Sequence, residues 1–271
     1  MTDRYAVMGN PIAHSQSPRI HALFANQTGQ DMVYTAQWVA EEGFETAAQA
    51  FFAAGGRGLN ITVPFKTEAY ALAAARSERA ELAGAVNTLR PDDKGGLWGD
   101  NTDGVGLMRD LRENLNVTLA GRRILILGAG GAVRGILGPL LAERPATIHI
   151  ANRTAAKAEA LAQRFAALGS MVGGGWDRID AEPFDCILNG TAASLSDVIP
   201  PLPDHALREG GVCYDLAYAD TPTAFVRWGQ AHGAAVSVDG LGMLVEQAAE
   251  AFYLWRGVRP ETRPVIKALS G

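Results

Sequence analysis

Residues 122–132 of the chain read Arg122-Arg123-Ile124-Leu125-Ile126-Leu127-Gly128-Ala129-Gly130-Gly131-Ala132. The unbroken apolar run is typical of a strand buried on both faces of a parallel sheet, and a helix is predicted to follow from Val133 to Ala142. A strand, a glycine turn and a helix in this order form an anion site, because the helix N-terminus presents free N–H groups and glycine lets a phosphate approach the backbone. The stretch therefore predicts an α/β domain that binds a dinucleotide.

The glycine motif by itself is not specific. A complete G-x-G-x-x-G pattern would have Gly or Ala where this chain has Val133, and a glycine-rich turn that serves only helix packing is an alternative. A triphosphate-binding loop is excluded because no Gly-Lys-Ser/Thr follows. The neighbouring sequence favours the dinucleotide site, since strands at 147–151, 185–189 and 211–216 and a helix at 155–168 predict a doubly wound parallel sheet.

The residues after the strand at 147–151, Asn152-Arg153-Thr154, indicate which dinucleotide is bound. An NAD site usually has a carboxylate here to bond the ribose 2′-hydroxyl, whereas the 2′-phosphate of NADP needs a cation. Arg153 can make a planar, charge-assisted contact with a phosphate, and Lys157 follows one turn later. We therefore predict NADP rather than NAD. Thr154 is also predicted to cap the next helix, a role that is compatible with phosphate binding.

The composition limits the class of protein. The 271 residues carry a net charge of -5, and 48% of them are hydrophobic, which is typical of a globular protein without a basic surface for nucleic acid or an anionic membrane. No apolar run approaches the roughly 20 residues of a membrane span, and the first residues lack the layout of a signal peptide. Two cysteines, Cys186 and Cys213, exclude a disulfide framework and a cysteine-cluster zinc site. We expect a cytoplasmic protein that binds no metal ion.

Two domains are predicted. The first third of the chain also alternates strands and helices, with strands at 4–9, 32–39 and 58–64 and a helix that Ser17 caps. After residue 238 the pattern becomes helical again. We assign residues 1–102 and 239–271 to a substrate-binding domain, to which the C-terminal helices return, and residues 103–238 to a Rossmann-like NADP-binding domain.

Polar stretches of the first domain lie at predicted strand ends, where α/β folds place their ligands. They comprise residues 9–18, 60–66, 84–88 and 99–104. Their hydroxyls, amides, lysine and aspartate suit a small, polyhydroxylated, anionic ligand rather than an apolar one. Simpler explanations exist for single residues: Ser17 as a helix cap, Thr62 as an ordinary strand residue and Lys66 as a solvated helix start. His14 and His21 are assigned structural or surface roles.

Seven strings in this sequence resemble the shikimate dehydrogenase family in order and in spacing. They are Ser15-Gln16-Ser17-Pro18, Asn60-Ile61-Thr62-Val63-Pro64-Phe65-Lys66, Ala83-Gly84-Ala85-Val86-Asn87-Thr88, Gly99-Asp100-Asn101-Thr102-Asp103-Gly104, Gly128-Ala129-Gly130-Gly131-Ala132, Asn152-Arg153-Thr154 and Asp239-Gly240-Leu241-Gly242-Met243-Leu244-Val245-Glu246-Gln247-Ala248. The resemblance extends from near residue 5 to near residue 255, so the strings together are far more specific than any one of them.

The resemblance implies the reversible, NADPH-dependent reduction of 3-dehydroshikimate to shikimate, a step of chorismate and aromatic amino-acid biosynthesis. It also implies that Lys66 and Asp103 form the catalytic pair and that Ser15 and Ser17 hold the substrate carboxylate. The remaining substrate contacts of the family match Thr62, Asn87, Tyr218 and Gln247, with lesser support from Asn60. The cofactor contacts match Gly128, Ala129, Gly130, Gly131, Ala132, Asn152, Arg153, Thr154, Lys157, Leu216, Gly240 and, more weakly, Glu78.

Two stretches on the cofactor side depart from the family pattern. Residues 218–224 have their prolines displaced, and Gly190 stands where a larger residue is common. Two other functions stay open. One is a quinate/shikimate dehydrogenase that prefers NAD, against which residues 152–154 argue. The other is a catalytically silent relative that binds a metabolite, against which the presence of both Lys66 and Asp103 argues. The sequence also leaves a monomer and a homodimer open.

The chemistry of the expected pair fits the reduction of a ketone. A nicotinamide supplies the hydride, and the protein supplies orientation and a proton. Lys66 is the only cation in the polar stretches of the first domain, and as an ammonium it can stabilise the developing alkoxide and donate a proton to it. We expect Asp103 to orient Lys66 and the reacting hydroxyl.

Overall fold

The computed structural model describes residues 2–270. Contacts divide the chain into two compact units, Met1–Leu107 with Leu244–Gly271, and Met108–Met243. Each unit contains a six-stranded sheet covered by helices, so the predicted α/β class is confirmed. Met1 and Gly271, which end the predicted substrate-binding domain, lie outside the described residues.

The first unit is built on a mixed sheet. Its strands are Asp3–Gly9 (β1), Met32–Trp38 (β2), Gly56–Ile61 (β3), Ala75–Arg76 (β4), Thr88–Pro91 (β5) and Leu97–Asp100 (β6). They lie in the order β2-β1-β3-β5-β6-β4. β1 pairs in parallel with β2 and β3, while β5 pairs antiparallel with β3 and β6. The C-terminal ends of β1 and β3 therefore lie side by side, and polar residues follow both of them.

Five helices begin in the first part of this unit. They are Ser17–Thr28 (α1), Phe44–Ala53 (α2), Lys66–Leu72 (α3), Glu78–Ala83 (α4) and Asp103–Arg109 (α5). Phe44 and Phe65 stack with their ring centroids 5.2 Å apart and are fully buried with Leu59 against the sheet. This packing fixes the start of α3, because Phe65 immediately precedes Lys66.

Two boundaries differ from the sequence-based prediction. Ser17 does not cap α1: it is the first helical residue, and Ser15 Oγ accepts its N–H at 3.3 Å, so the hydroxyl that satisfies the free helix start comes from two residues upstream. The strand predicted at 58–64 runs from Gly56 to Ile61. It ends early because Thr62 and Phe65 close a turn, in which the Phe65 N–H donates to the Thr62 carbonyl at 3.1 Å.

The second unit is an all-parallel sheet of doubly wound topology. Its strands are Arg123–Leu127 (β7), Thr147–Ala151 (β8), Met171–Gly174 (β9), Phe184–Asn189 (β10), Leu207–Asp215 (β11) and Val236–Val238 (β12). They lie in the order β12-β11-β10-β7-β8-β9. Counted from β7, this is the 3-2-1-4-5-6 order of dinucleotide-binding folds, which reverses direction between β7 and β10. Ile124 to Leu127 are fully buried, as the apolar run predicts.

The helices of the second unit are Gly131–Ala142 (α6), Ala155–Phe165 (α7) and Ala224–Ala231 (α8). Two further helices, Leu241–Arg256 (α9) and Arg263–Leu269 (α10), end the chain, and from Leu244 onward they belong to the first unit. There α9 packs on α1 through Phe24 and Phe252, whose ring centroids are 5.7 Å apart. None of the helices between residues 2 and 270 combines the length and apolar character that crossing a membrane requires.

Candidate active site

In the first unit, Lys66 and Asp103 form a direct ion pair. The Lys66 ammonium Nζ lies 2.5 Å from Asp103 Oδ2. Lys66 is the first residue of α3 and Asp103 the first of α5, so two helix starts bring together groups that are 37 residues apart. The side chain of Lys66 is 13% exposed and that of Asp103 is 1% exposed. The pair is thus a cation and an anion that are largely removed from water but still reachable from one side.

Asn87 connects this pair to its surroundings. Its amide nitrogen lies 2.8 Å from Asp103 Oδ1, 3.0 Å from Thr102 Oγ1 and 3.1 Å from Gln247 Oε1. Its amide oxygen accepts the Thr102 N–H at 2.9 Å and the Thr88 hydroxyl at 2.9 Å. Asn87 is 3% exposed. Because every member of the cluster has a partner, the network fixes the carboxylate of Asp103 before any ligand arrives.

Asn60 and Tyr34 form the next layer under the site. Asn60 Nδ2 donates to the Asn87 carbonyl and to Thr88 Oγ1, both at 3.1 Å, and Asn60 Oδ1 accepts the Tyr34 hydroxyl at 2.7 Å. Burial raises the pKa of Tyr34 well above its usual value, although a hydrogen bond with Ser17 opposes the shift. Tyr34 therefore stays protonated and joins Asn60 to one of the two serines expected to bind a carboxylate.

The serine loop and Thr62 lie at neighbouring strand ends. Ser15, in the loop between β1 and α1, and Ser17, the first residue of α1, are half-buried. Thr62 follows β3, and its N–H donates to the Met8 carbonyl at 3.0 Å. A methyl group at Gly9 would lie 2.3 Å from Thr62 Cγ2, so Gly9 permits the close approach of β1 to Thr62. These residues present hydroxyl groups at the same end of the first sheet.

The histidines near these residues are accounted for by packing. His21 is fully buried and stacks on Tyr34 with ring centroids 4.1 Å apart. Burial lowers the pKa of His21 to about 3, so its ring is neutral at physiological pH. His14 is exposed. The structure thus agrees with a structural role for His21 and a surface position for His14.

In the second unit, the glycine turn joins β7 to α6. Gly128 has a φ of +101°, and a methyl group there would lie 2.8 Å from the Gly190 carbonyl oxygen. Gly130 and Gly131 have open space where a side chain would lie. The turn therefore leaves room for a phosphate in front of the α6 N-terminus, where free N–H groups point outward. This open cradle fits the pyrophosphate of a dinucleotide.

Gly190, which departs from the family pattern, lies against Val133, which departs from the glycine fingerprint. A methyl group at Gly190 would lie 2.5 Å from Val133 Cγ2 and 3.2 Å from Leu216 Cδ1. Val133 is fully buried. The valine that replaces the third glycine of the fingerprint therefore occupies the volume that Gly190 leaves free, and the two residues compensate each other.

Several side chains after β8 are exposed to solvent and open to a phosphate, rather than held by contacts within the chain. Arg153, Thr154 and Lys157 are exposed. No described residue between 2 and 270 bonds the side chain of Arg153 or of Lys157. Asn152 Nδ2 donates to the Thr154 carbonyl at 2.9 Å. The prediction that Thr154 caps the next helix is wrong for its side chain: Thr154 occupies the N-cap position without a side-chain hydrogen bond, which leaves its hydroxyl available.

A buried carboxylate, Asp215, holds the loops after β10 and β11. It accepts hydrogen bonds from Ser194 Oγ at 2.5 Å, Thr223 Oγ1 at 2.7 Å and the Ala217 N–H at 3.1 Å. Asn189, which ends β10, donates to it at 3.3 Å. Asp215 therefore fixes the segment that carries Leu216 and Tyr218.

The remaining expected residues divide between the two units. In the second unit, Gly240 packs tightly: a methyl group there would lie 2.5 Å from the Leu216 carbonyl oxygen. Tyr218 is half-buried. In the first unit, Glu78 is exposed at the first residue of α4. Nothing in its contacts bears on a cofactor, and its role stays a prediction.

Sequence reasoning did not assign roles to several residues that complete these networks. They are Tyr34, Thr102, Asp100 and Asp215. Thr102 could have been found, since it lies inside the polar run 99–104 beside Asp103. Asp100 lies in the same run. Tyr34 and Asp215 give no local signal, because a lone tyrosine in a strand or an aspartate at a strand end has many ordinary explanations.

Comparison with known proteins identifies relatives along the whole chain. A shikimate dehydrogenase substrate binding domain model matches residues 7–89, a shikimate/quinate 5-dehydrogenase model matches residues 110–172, and a shikimate 5′-dehydrogenase C-terminal domain model matches residues 240–269. A shikimate dehydrogenase (NADP(+)) of Methylococcus capsulatus is 63% identical over 98% of this chain and 96% of its own.

Two solved structures are similar over nearly their full lengths. An Ael1 enzyme from Pseudomonas putida has 47% identity and a TM-score of 0.92, covering 100% of this chain and 99% of its own. Shikimate 5-dehydrogenase from Thermus thermophilus, in complex with NADP(H) and shikimate, has 33% identity and a TM-score of 0.88, covering 99% and 98%.

Proposed function

This chain belongs to the shikimate dehydrogenase family, and from that premise we propose how its own residues carry out the family's reaction. The resemblance read from the sequence is thereby confirmed, as are an oxidoreductase activity and NADP as the cofactor. The reaction is the reversible, NADPH-dependent reduction of 3-dehydroshikimate to shikimate in aromatic amino-acid biosynthesis.

The observation that carries the proposal is the ion pair of Lys66 and Asp103 inside a completed hydrogen-bond network. When NADPH is bound, its nicotinamide supplies the hydride. In our proposal the Lys66 ammonium donates its proton to the alkoxide that forms on the substrate, and in the reverse direction the amine accepts the hydroxyl proton. Asp103 orients both the lysine and the reacting hydroxyl, because Asn87 holds its other oxygen.

The rest of the first site recognises the substrate. Ser15 and Ser17 donate hydroxyls to the carboxylate, and Thr62, Asn87 and Gln247 bond the ring hydroxyls. A lesser contact comes from Asn60, and Tyr218 is a further substrate contact in our proposal. A polar donor set of this kind suits a polyhydroxylated acid and rejects an apolar ligand, since unpaired buried donors would be costly.

The second unit holds NADP. Its pyrophosphate would lie on residues 128–132, where the glycines leave open space before the α6 N-terminus. Arg153 and Lys157 are exposed cations for the 2′-phosphate, and Asn152 with Thr154 completes that end. Leu216 and Gly240 would lie beside the nicotinamide, with Glu78 as the weakest member of the set.

Both cysteines are free, buried thiols, and burial raises the pKa of Cys213 to about 12. They therefore stay reduced and unreactive, which supports a cytoplasmic location in our proposal.

The edge strand β2 exposes Trp38 at 64% and Val33 at 45%, a surface that a homodimer would cover. Sedimentation velocity distinguishes the homodimer from a monomer.

The test of the function is direct. Purified protein is mixed with shikimate and NADP⁺, and the absorbance of NADPH is followed; quinate and NAD⁺ are substituted one at a time. We expect turnover with shikimate and NADP⁺ and a lower kcat/KM in each substituted reaction. Absence of turnover with shikimate would refute the proposal, and a preference for NAD⁺ or quinate would identify the alternative dehydrogenase.

A further inference from the structure

Arg79 bridges two elements of the first unit that carry expected active-site residues. It lies on α4, and its guanidinium grips Asp100 with two hydrogen bonds, from Nε to Oδ1 at 2.7 Å and from Nη2 to Oδ2 at 2.6 Å. The same Nη2 lies 3.1 Å from Glu250 Oε1 on α9. A single side chain thereby joins α4, the end of β6 and α9.

The Asp100 contact leads to Asp103 through Asn101. Asp100 is 1% exposed, and its Oδ1 accepts the Asn101 N–H at 2.7 Å and also contacts the Ser77 hydroxyl. The Asn101 side chain accepts the Asp103 N–H at 3.1 Å and donates to the Ala85 carbonyl at 3.0 Å. Each step is a buried hydrogen bond, so the position of the Asp103 backbone depends on where Arg79 holds Asp100.

The Glu250 contact leads to Gln247. These residues are three apart on α9, so they lie on neighbouring turns of one face. Gln247 Oε1 accepts from Asn87, which in turn holds Asp103. Arg259 also bonds Glu250, at 2.5 Å, but has no contact with Asp100. Of these two arginines, Arg79 is therefore the one that bonds Asp100, in the segment that leads to Asp103.

The electrostatics fit a fully ionised cluster. Burial on its own would raise the pKa of the Glu250 carboxyl, but hydrogen bonds and charge from Arg259 and Arg79 hold it below its usual range. A lysine could not replace Arg79 at equal strength, because an ammonium is a point charge and cannot match the two oxygens of Asp100 as a planar fork does.

We propose that Arg79 is a positioning residue of the dehydrogenase reaction, which sets the place of Asp103 through Asp100 and of Gln247 through Glu250. The inference rests on the proposed function. It differs from a purely structural role in one respect: loosening Arg79 slows the chemical step in molecules that are still folded.

The experiment compares Arg79→Lys with Arg259→Lys. Both variants loosen a contact to Glu250, and only the first loosens Asp100. We measure kcat, the primary deuterium isotope effect on kcat with NADPH deuterated at the transferred position, and the folded fraction by circular dichroism. A smaller folded fraction lowers kcat without changing the isotope effect, whereas a misplaced Asp103 slows the chemical step and raises the isotope effect.

We expect Arg79→Lys to lower kcat per folded molecule at least tenfold with a raised isotope effect. Arg259→Lys leaves Arg79 bonded to both Asp100 and Glu250, so we expect it to stay within twofold of the wild type in both measurements. Equal behaviour of the two variants overturns the proposal. Wild-type activity is measured first, so an inactive wild type refutes the proposed function rather than the role of Arg79.

A second variant, Asp100→Asn, covers the case in which Arg79→Lys is unfolded. An asparagine still accepts the Asn101 N–H but loses the charge that Arg79 grips. The proposal expects a kcat at least threefold lower and a raised isotope effect in folded Asp100→Asn. Wild-type values in this variant, or failure of both variants to fold at the assay temperature, would reduce Arg79 to a structural residue.

Discussion

The two ligand sites of the molecule are built from different parts. In the first unit, the candidate catalytic groups are buried side chains that bond one another, as Asn87 does with Asp103 and Gln247. In the second unit, the candidate cofactor groups are an open glycine turn and exposed cations such as Arg153. The side chains of the first site are held in place by their own hydrogen bonds before a ligand arrives. The second site is an open backbone turn flanked by exposed cations. Substitutions should therefore act mainly on the chemical step in the first site and mainly on cofactor affinity in the second.

The largest effect is expected at Lys66. Lys66→Ala removes the proton donor and leaves the Asp103 carboxylate, which is 1% exposed, without its cation. We expect kcat at saturating substrate to fall by at least about 100-fold, the usual effect of losing a general acid. Lys94→Ala, on the exposed turn between β5 and β6, is the control and should keep wild-type kcat. A kcat near wild type in Lys66→Ala would remove the lysine from the mechanism.

The effect at Arg153 should be smaller and of a different kind. A hydrogen bond to a charged group is worth about 1.5–3 kcal/mol, so Arg153→Ala should lower the ratio of kcat/KM for NADPH to that for NADH by roughly ten- to a hundredfold. The values with NADH should change little. Arg112→Ala, which removes an exposed ion pair with Glu143 in the same unit, is the matched control. A cofactor preference that survives in Arg153→Ala would contradict the 2′-phosphate assignment.

The difference between the two ligand sites also explains which of their features could be predicted from the sequence. Strand β8 is predicted at its observed bounds, because its apolar residues and the polar turn that follows are local signals. The glycine turn is also a local signal, since Gly128 adopts a positive φ that favours glycine. The pairing of Lys66 with Asp103 was expected only through the family resemblance, because no local pattern places residues 37 positions apart in contact.

Contacts in which two residues far apart in the chain complement each other could not be predicted from the sequence. Arg79 and Glu250 are 171 residues apart, and neither is unusual in its own helix. Val133 and Gly190 each looked like a defect of the cofactor site when read separately. Only their contact in the folded chain shows that one residue fills the space that the other leaves. Packing of this kind is a property of pairs, whereas a sequence motif describes single positions.

A double-mutant cycle at Val133 and Gly190 sharpens this point. Gly190→Ala alone overpacks a closed site and should cost about 1–3 kcal/mol of stability. Val133→Ala alone leaves a cavity and should cost a similar amount. The double variant should recover most of the loss from the glycine change, which gives a coupling energy of at least about 0.5 kcal/mol in urea unfolding. Additive effects would mean that the two residues do not compensate each other.

The smallest effect contrasts two buried carboxylates, one in each unit. Arginines hold the pKa of Glu250 below its usual value of 4.5 despite burial, whereas burial raises the pKa of Asp215 above 3.8 because only neutral groups bond it. A carboxyl whose pKa is lower in the folded than in the unfolded protein stabilises the fold at pH values above its unfolded-state pKa, and this contribution is lost as the pH falls. A carboxyl whose pKa is raised on folding destabilises the fold progressively as the pH rises through its folded-state pKa. As the pH falls from about 6 to about 3, the stability advantage of the wild type over Glu250→Gln should therefore shrink, and its advantage over Asp215→Asn should grow. Thermal unfolding of the three proteins across that range measures both trends, and curves that move in the same direction would show that the two units do not differ in how they hold buried charge.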